Sequence, residues 1–256
     1  MFDVSIRMGF RLKSPMLRGF RVKVVHEGKE WIAKKCSVLD KNTIINFAEQ
    51  RQKFIYLQGF AENGVNVLTV KNDINVLAVH PVGVTMADVF ESNATEEKCH
   101  VIKGALLQLE VLHNTANCVH RDVRPLNIII CANRVYLIDM ETLSGIGAAT
   151  CAFKWGQQDG YSPNIAFQTE EHVEFFPQHD LEMFAYSIVA AVKGKLWEGL
   201  PNREDLVPFR QETMKLYANN KDEFLQFASK VWSIAQKQNF DYMEVRALTE
   251  SINIRA

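Results

Sequence analysis

Apolar residues recur at every second position in Phe20-Arg21-Val22-Lys23-Val24-Val25, the period of a strand with one face buried. His26-Glu27-Gly28-Lys29 carries turn chemistry, and Glu30-Trp31-Ile32-Ala33-Lys34-Lys35 returns as the second strand of a hairpin. A helical period follows over residues 42–57, with Ile45, Ala48, Gln52 and Ile55 near one face. Residues 65–70 and 74–79 read as another hairpin turning at Lys71-Asn72-Asp73. Pro81 and Gly83 interrupt the pattern, which predicts a boundary between a lobe of residues 1–82 and one of residues 83–256.

Beyond that boundary the period is mostly helical. Thr95 is placed to cap a helix running through Val101, Ala105, Leu106, Leu109 and Leu112. Two short apolar runs, 128–130 and 135–138, read as strands, and residues 141–174 show no clear period. Residues 181–192 are apolar nearly all round, as in a buried central helix. A further helix is expected over residues 223–236. Strands first and helices after make an α+β, two-lobed chain.

Composition narrows the function classes. With 256 residues, 47% of them hydrophobic, the chain can bury a sizeable core. A formal net charge of −1 provides no global field for nucleic acid or membranes, and neither is expected as a partner. The first 35 residues are locally basic (Arg18, Arg21, Lys23, Lys34 and Lys35 among them), which fits a solvated sheet face or an attraction for polyphosphate. Five widely spaced cysteines without a Cys-x-x-Cys pair argue against a disulfide framework or zinc site and suit an intracellular, cytoplasmic protein. Met1-Phe2-Asp3-Val4-Ser5 has no signal-peptide pattern, and no run of about 18 apolar residues exists to span a membrane.

The chemistry concentrates in His120-Arg121-Asp122-Val123-Arg124-Pro125-Leu126-Asn127, followed by the two apolar runs and then Asp139. One carboxylate to serve an attacking hydroxyl and two hard-oxygen ligands are what phosphoryl transfer needs. The stretch resembles the protein-kinase catalytic loop. That resemblance implies a protein kinase-like fold with a small β-rich N-lobe and a helical C-lobe. It also implies that Asp122 orients or accepts the substrate hydroxyl proton, and that Asn127 and Asp139 hold Mg2+. Arg124 stands where many serine/threonine kinases carry lysine. It could neutralise charge on the transferring group or be a surface arginine. Ile32-Ala33-Lys34-Lys35 resembles the strand that binds nucleotide: Ala33 against adenine and Lys35 on the ATP phosphates, with Glu49 as its ion-pair partner and Lys34 as rival. Gly19 and Val22 align with the end of the glycine-rich loop.

The same resemblance has departures. Gly-x-Gly-x-x-Gly is absent, and Asp139-Met140-Glu141 replaces Asp-Phe-Gly, with Glu141 where glycine would permit a positive φ. Gly160-Tyr161-Ser162-Pro163 resembles the end of an activation segment. Asn164 then replaces the expected glutamate, which would remove an anchoring ion pair to a downstream arginine. Asp180 has two readings that can hold together, a helix N-cap and, as in kinases, a clasp on the catalytic-loop backbone. His179-Asp180-Leu181-Glu182 and the stretch 240–248 are similar to casein-kinase-one-like and fungal or oomycete effector-type kinases. His113 is expected to be a packed core histidine. The leading expectation is transfer of the ATP γ-phosphoryl group, with Mg2+, to a serine or threonine of a protein substrate. A pseudokinase binding a partner kinase or host protein is the alternative. A small-molecule kinase comes third, because Arg121 and Ser162-Pro163 point to protein substrates.

Overall fold

Alternation in the first third becomes a four-stranded antiparallel sheet, β1-β2-β4-β3 in spatial order. The computed structural model describes residues 20–26, 29–35, 69–73, 76–91, 94–151, 160–168, 172–194, 197, 203–237 and 239–251. β1 (Phe20–His26) and β2 (Lys29–Lys35) form the expected hairpin, in register from Phe20↔Lys35 to His26↔Lys29. β3 (Thr69–Asp73) and β4 (Val76–His80) form the second hairpin, but Lys71-Asn72-Asp73 lie in β3 and not in the turn. Their polarity suits a strand on the sheet edge, where charged residues also discourage pairing with a foreign strand. Trp31 is buried against the His80 ring, whose Nδ1 donates to the Glu30 carbonyl at 2.7 Å. The helix expected over residues 42–57 lies outside the described residues.

The chain divides into two units, Met1–Gly83 and Val84–Ala256. In the second unit β5 (Val84–Thr85) leads into α1 (Met86–Glu91), where Thr85 and Asp88 cap each other reciprocally at 2.6–3.2 Å. α2 (Thr95–Asn114) begins one residue before the expectation: extended Ala94, not Thr95, is the cap, and it has no side-chain bond. Glu96 and Glu97 in the first turn favour the positive end of the helix dipole, so the start does without a hydroxyl cap.

α2 lies on a three-stranded sheet of β5, β7 (Ile128–Cys131) and β8 (Arg134–Leu137). Ala132 and Asn133, at φ 48° and 61°, join β7 to β8 in the primed turn that suits a two-residue hairpin. Gly104 lets α2 approach closely: a Cβ there would come within 2.6 Å of the Val135 Cβ. Gly104→Ala is therefore expected to destabilise the fold by about 1–3 kcal/mol through overpacking, despite alanine's better helix propensity. Urea unfolding checks this, and a gain in midpoint would refute it.

Four short ladder strands and one turn of helix follow. β6 (Cys118–Val119) pairs with β9 (Ser144–Gly145), and β10 (Ala149–Cys151) pairs with β11 (His172–Glu174), with α3 (Ile165–Gln168) between. α4 (Pro177–Lys193) is the central helix. Every residue from Asp180 to Ala190 is buried, so an apolar run with no polar stripe is what packing demands. Pro177 at its first turn and Gly194 at φ 73° punctuate its ends. α6 (Glu223–Ala235) packs along α4, flanked by α5 (Arg203–Tyr217) and α7 (Tyr242–Ser251). The architecture is α+β, with strands early and helices late. No helix among the described residues is long and apolar enough to cross a membrane.

Candidate active site

The loop of residues 120–127 is held by α4. Asp180 sits one turn inside that helix, where Phe176 is the N-cap, so the N-cap reading of Asp180 does not apply. Its carboxylate accepts the backbone N–H of His120 at 2.6 Å and of Arg121 at 2.8 Å, and His113 Nε2–H at 2.9 Å. Complete burial works to raise its pKa, but the hydrogen bonds from His113 and the His120 amide outweigh it. The carboxyl is held below its ordinary value. Seven residues on, the Ser187 hydroxyl is shared between the Val123 carbonyl (3.0 Å) and the Met183 carbonyl of its own helix (2.8 Å). From the other side Thr142 donates to the His120 carbonyl at 2.5 Å. Sequence reasoning reached Asp180 but neither Ser187 nor Thr142. A serine within the mostly apolar stretch 181–192 was the one signal that could have marked Ser187.

His120 locks the loop onto β8. Its Nδ1 accepts the Asp122 backbone N–H at 3.2 Å, which puts the ring proton on Nε2, and Nε2–H donates to the Ile138 carbonyl at 3.0 Å. A 3-10 turn over Pro125–Asn127 then folds the chain back. Asn127, only 2% exposed, donates its amide to both the Asp122 carbonyl (2.9 Å) and the Asp122 Oδ2 (2.7 Å). Both acceptors are oxygens without protons, so the amide orientation is forced and Asn127 Oδ1 is turned away from Asp122. Arg124 Nη2 lies 3.2 Å from Asp122 Oδ2. Burial raises the Asp122 pKa, the charge of Arg124 opposes the rise, and the charge of Asp139 adds to it. A carboxylate partly desolvated beside a cation is poised as an acceptor for a hydroxyl proton.

Asp139 follows β8 at φ 65°, ψ 57°, in the left-handed region that costs a non-glycine residue strain. Glu141 was expected to resist a positive φ. The strain falls on Asp139 instead, and Glu141 lies inside an ordinary 3-10 turn, Met140–Thr142. Met140 is buried, as an apolar plug requires. Asp139 would offer a carboxylate and Asn127 an amide oxygen, hard donors of the kind Mg2+ takes. Among the described residues no three or more His, Cys, Asp or Glu side chains are grouped to hold a metal ion.

Gly19 and Glu49 lie outside the described residues, and for Val22, Ala33 and Lys35 only the backbone is described. Register pairs Val22 with Ala33 and Phe20 with Lys35, so these positions occupy two neighbouring same-parity rungs of one ladder.

Arg121, at φ 69°, stacks its guanidinium over Phe175 at 5.1 Å; Phe175 belongs to a small core with Val119 and Val173. The stretch ending at Pro163 is anchored by a route that the sequence did not show. Arg210, fully buried, donates to the Ser162 carbonyl at 2.8 Å and the Gly160 carbonyl at 2.5 Å. Its guanidinium lies 4.7–5.4 Å from the rings of Phe167, Tyr186 and Trp197. Glu182 accepts the Asn164 backbone N–H at 3.2 Å. The expected side-chain ion pair at position 164 is replaced by an arginine that grips backbone oxygens, which any residue at 164 leaves in place.

A β-rich unit followed by a helical one, and a loop in which an amide clamps a carboxylate five residues upstream while a helix-borne aspartate holds its backbone, define a protein kinase-like fold. The fungal protein kinase family matches residues 7–192, well over half of the chain, and the chain belongs to that family. The match spans every residue of the site described above except Arg210 and Trp197. No curated protein matches the chain.

Proposed function

We propose that the chain transfers the γ-phosphoryl group of ATP to a serine or threonine hydroxyl of a protein substrate. The observation that carries this reading is the Asn127–Asp122 clamp in a loop whose backbone is fixed by Asp180 and Ser187. Holding reacting groups in place is most of what catalysis of phosphoryl transfer requires. Asp122 orients the hydroxyl and takes its proton. Arg124 lies beside it with a planar cation suited to phosphate oxygens. Asn127, through Oδ1, and Asp139 would hold Mg2+, which when bound neutralises polyphosphate charge. Lys35, supported by Glu49, would bind the phosphates, with Ala33, Val22 and Gly19 around the base.

A second reading, a pseudokinase acting as a binding module, is favoured by the lone Gly19 where phosphate-cradling loops carry three glycines. The two readings separate by thermal shift. Mg2+ with ATP at a hundredfold excess over Kd is expected to stabilise the wild type by about 2.7 kcal/mol, several degrees in Tm. Asp139→Ala should lose the metal-dependent part. Absence of any shift in the wild type would discard the phosphotransferase reading in favour of the binding module.

A further inference from the structure

The last helix makes a contact that the phosphotransfer reading leaves unused. We propose that Tyr242 is a positioning residue for the catalytic loop, its hydroxyl fixing the His113 ring that orients Asp180. The inference rests on the reading of that loop as the catalytic one.

The chain of contacts is buried throughout. The side chains of His113 and Asp180 are inaccessible to solvent, and Tyr242 is 6% exposed. His113 bridges the two with one ring nitrogen each: Nε2 to Asp180 Oδ2 at 2.9 Å and Nδ1 to the Tyr242 hydroxyl oxygen at 2.5 Å. Asp180 is an acceptor, so Nε2 carries the proton, Nδ1 is left to accept, and the tyrosine hydroxyl donates. Burial, with the charges of Asp180 and Glu110, pushes the Tyr242 pKa well above its ordinary value, so the hydroxyl remains a donor across the working range. Phe240 packs edge-on against the Tyr242 ring at 4.8 Å. On the same helix Val245 is buried, and Arg246 forms a two-pronged pair with Glu110 of α2. α7 is thus docked so that one hydroxyl reaches the ring. Tyr242 lies outside the span shared with the family, residues 7–192, so this support comes from a later part of the chain.

Without the hydroxyl, Nδ1 of His113 has no partner in a site closed to water. The ring is then free to turn, and Asp180 loses the contact that aims its two oxygens at the His120 and Arg121 amides. A desolvated polar atom left unpaired is costly, and the cheapest relief is rotation.

The test is hydrogen exchange of the His120 and Arg121 amides in Tyr242→Phe, which keeps the ring and removes the hydroxyl. Exchange at these two amides is expected to quicken about 2- to 30-fold, as for remote couplings in general, with the α6 amides of Val231 and Trp232 unchanged. Turnover should fall in the same range with KM for ATP unaltered. Glu244→Ala, on the same helix, removes the exposed Lys237–Glu244 pair and keeps the hydroxyl, and it should leave both amides as in the wild type. In the wild type, 15N shifts of the His113 ring should show a proton on Nε2 and none on Nδ1. Unchanged amides in Tyr242→Phe, a uniform loss of protection across the helical unit, equal loss in Glu244→Ala, or a proton on Nδ1 would each overturn the inference. A wild type that moves no phosphoryl group, yet shows the selective amide effect, would sink the catalytic reading and leave the positioning intact.

Discussion

Asp122→Asn is expected to lower phosphoryl transfer about 10²- to 10⁴-fold, the usual worth of a positioned general base, while the protein stays folded. The asparagine oxygen can still accept from Asn127 Nδ2, so the clamp persists and only proton acceptance is lost. Stability carries an independent signature. Burial raises the Asp122 pKa above its unfolded value. A carboxyl raised in this way contributes stability below the unfolded pKa of about 3.9 and loses it as pH rises through the folded one. At neutral pH the ionised group therefore weighs against the fold, and Asp122→Asn should be at least as heat-stable as the wild type. The advantage should vanish below about pH 4. Arg124→Ala removes a charge that opposes the rise, so the acid limb of its rate profile should move to higher pH. Undiminished turnover in Asp122→Asn, or a clear drop in its Tm, would remove Asp122 from the role.

Asp180→Ala is the substitution expected to damage the fold most. It strips the acceptor from two backbone amides and a histidine, buried at His120 and His113 and partly buried at Arg121. Breaking a buried charge network from one side costs about 3–5 kcal/mol, a large share of a domain's stability. Turnover should fall with it, because the loop that presents Asp122 is no longer held. The pH dependence runs opposite to that of Asp122. The Asp180 pKa is held below its unfolded value, so its stabilisation is complete above about pH 3.9 and drains away as pH falls through the folded pKa. The denaturant-midpoint gap between wild type and Asp180→Ala should narrow in acid. A gap constant from pH 7 to pH 3 would contradict the assignment of Asp180 as the ionised clasp.

How far the site can be read from sequence depends on how far its contacts reach along the chain. Asn127 meets Asp122 five residues away through a single turn that Pro125 starts, so the loop's resemblance marked both residues, while their mutual hydrogen bond appears only in the structure. Spacing left Asp180 with two roles, and burial one turn inside α4 decides for the loop clasp across 60 residues. Thr142, Arg210 and Tyr242 had no local mark, since each acts on residues far from it in sequence, Tyr242 across 129 positions. His113 was expected to be merely packed. It is packed, and it is also the bridge between Tyr242 and Asp180, because a ring with two nitrogens can serve two buried partners. The loss of an ion pair inferred from Asn164 was a fair deduction from one side chain, but backbone carbonyls are acceptors that no sequence motif displays. At Lys71-Asn72-Asp73 local turn propensity lost to strand pairing at an open edge.

Local chemistry determined by itself that this chain has strands before helices, an apolar central helix, and a carboxylate–amide–carboxylate series that resembles the one in a protein-kinase loop. Those properties follow from periodicity and short-range turns, which neighbouring residues dictate. Tertiary structure decided which buried polar groups hold that series in place: Asp180, Ser187, His113 and Arg210 each satisfy donors or acceptors from distant segments. Burial forces such partnerships, because an unpaired polar group shut away from water costs more than the fold can spare, and only the packed chain reveals which groups are shut away together.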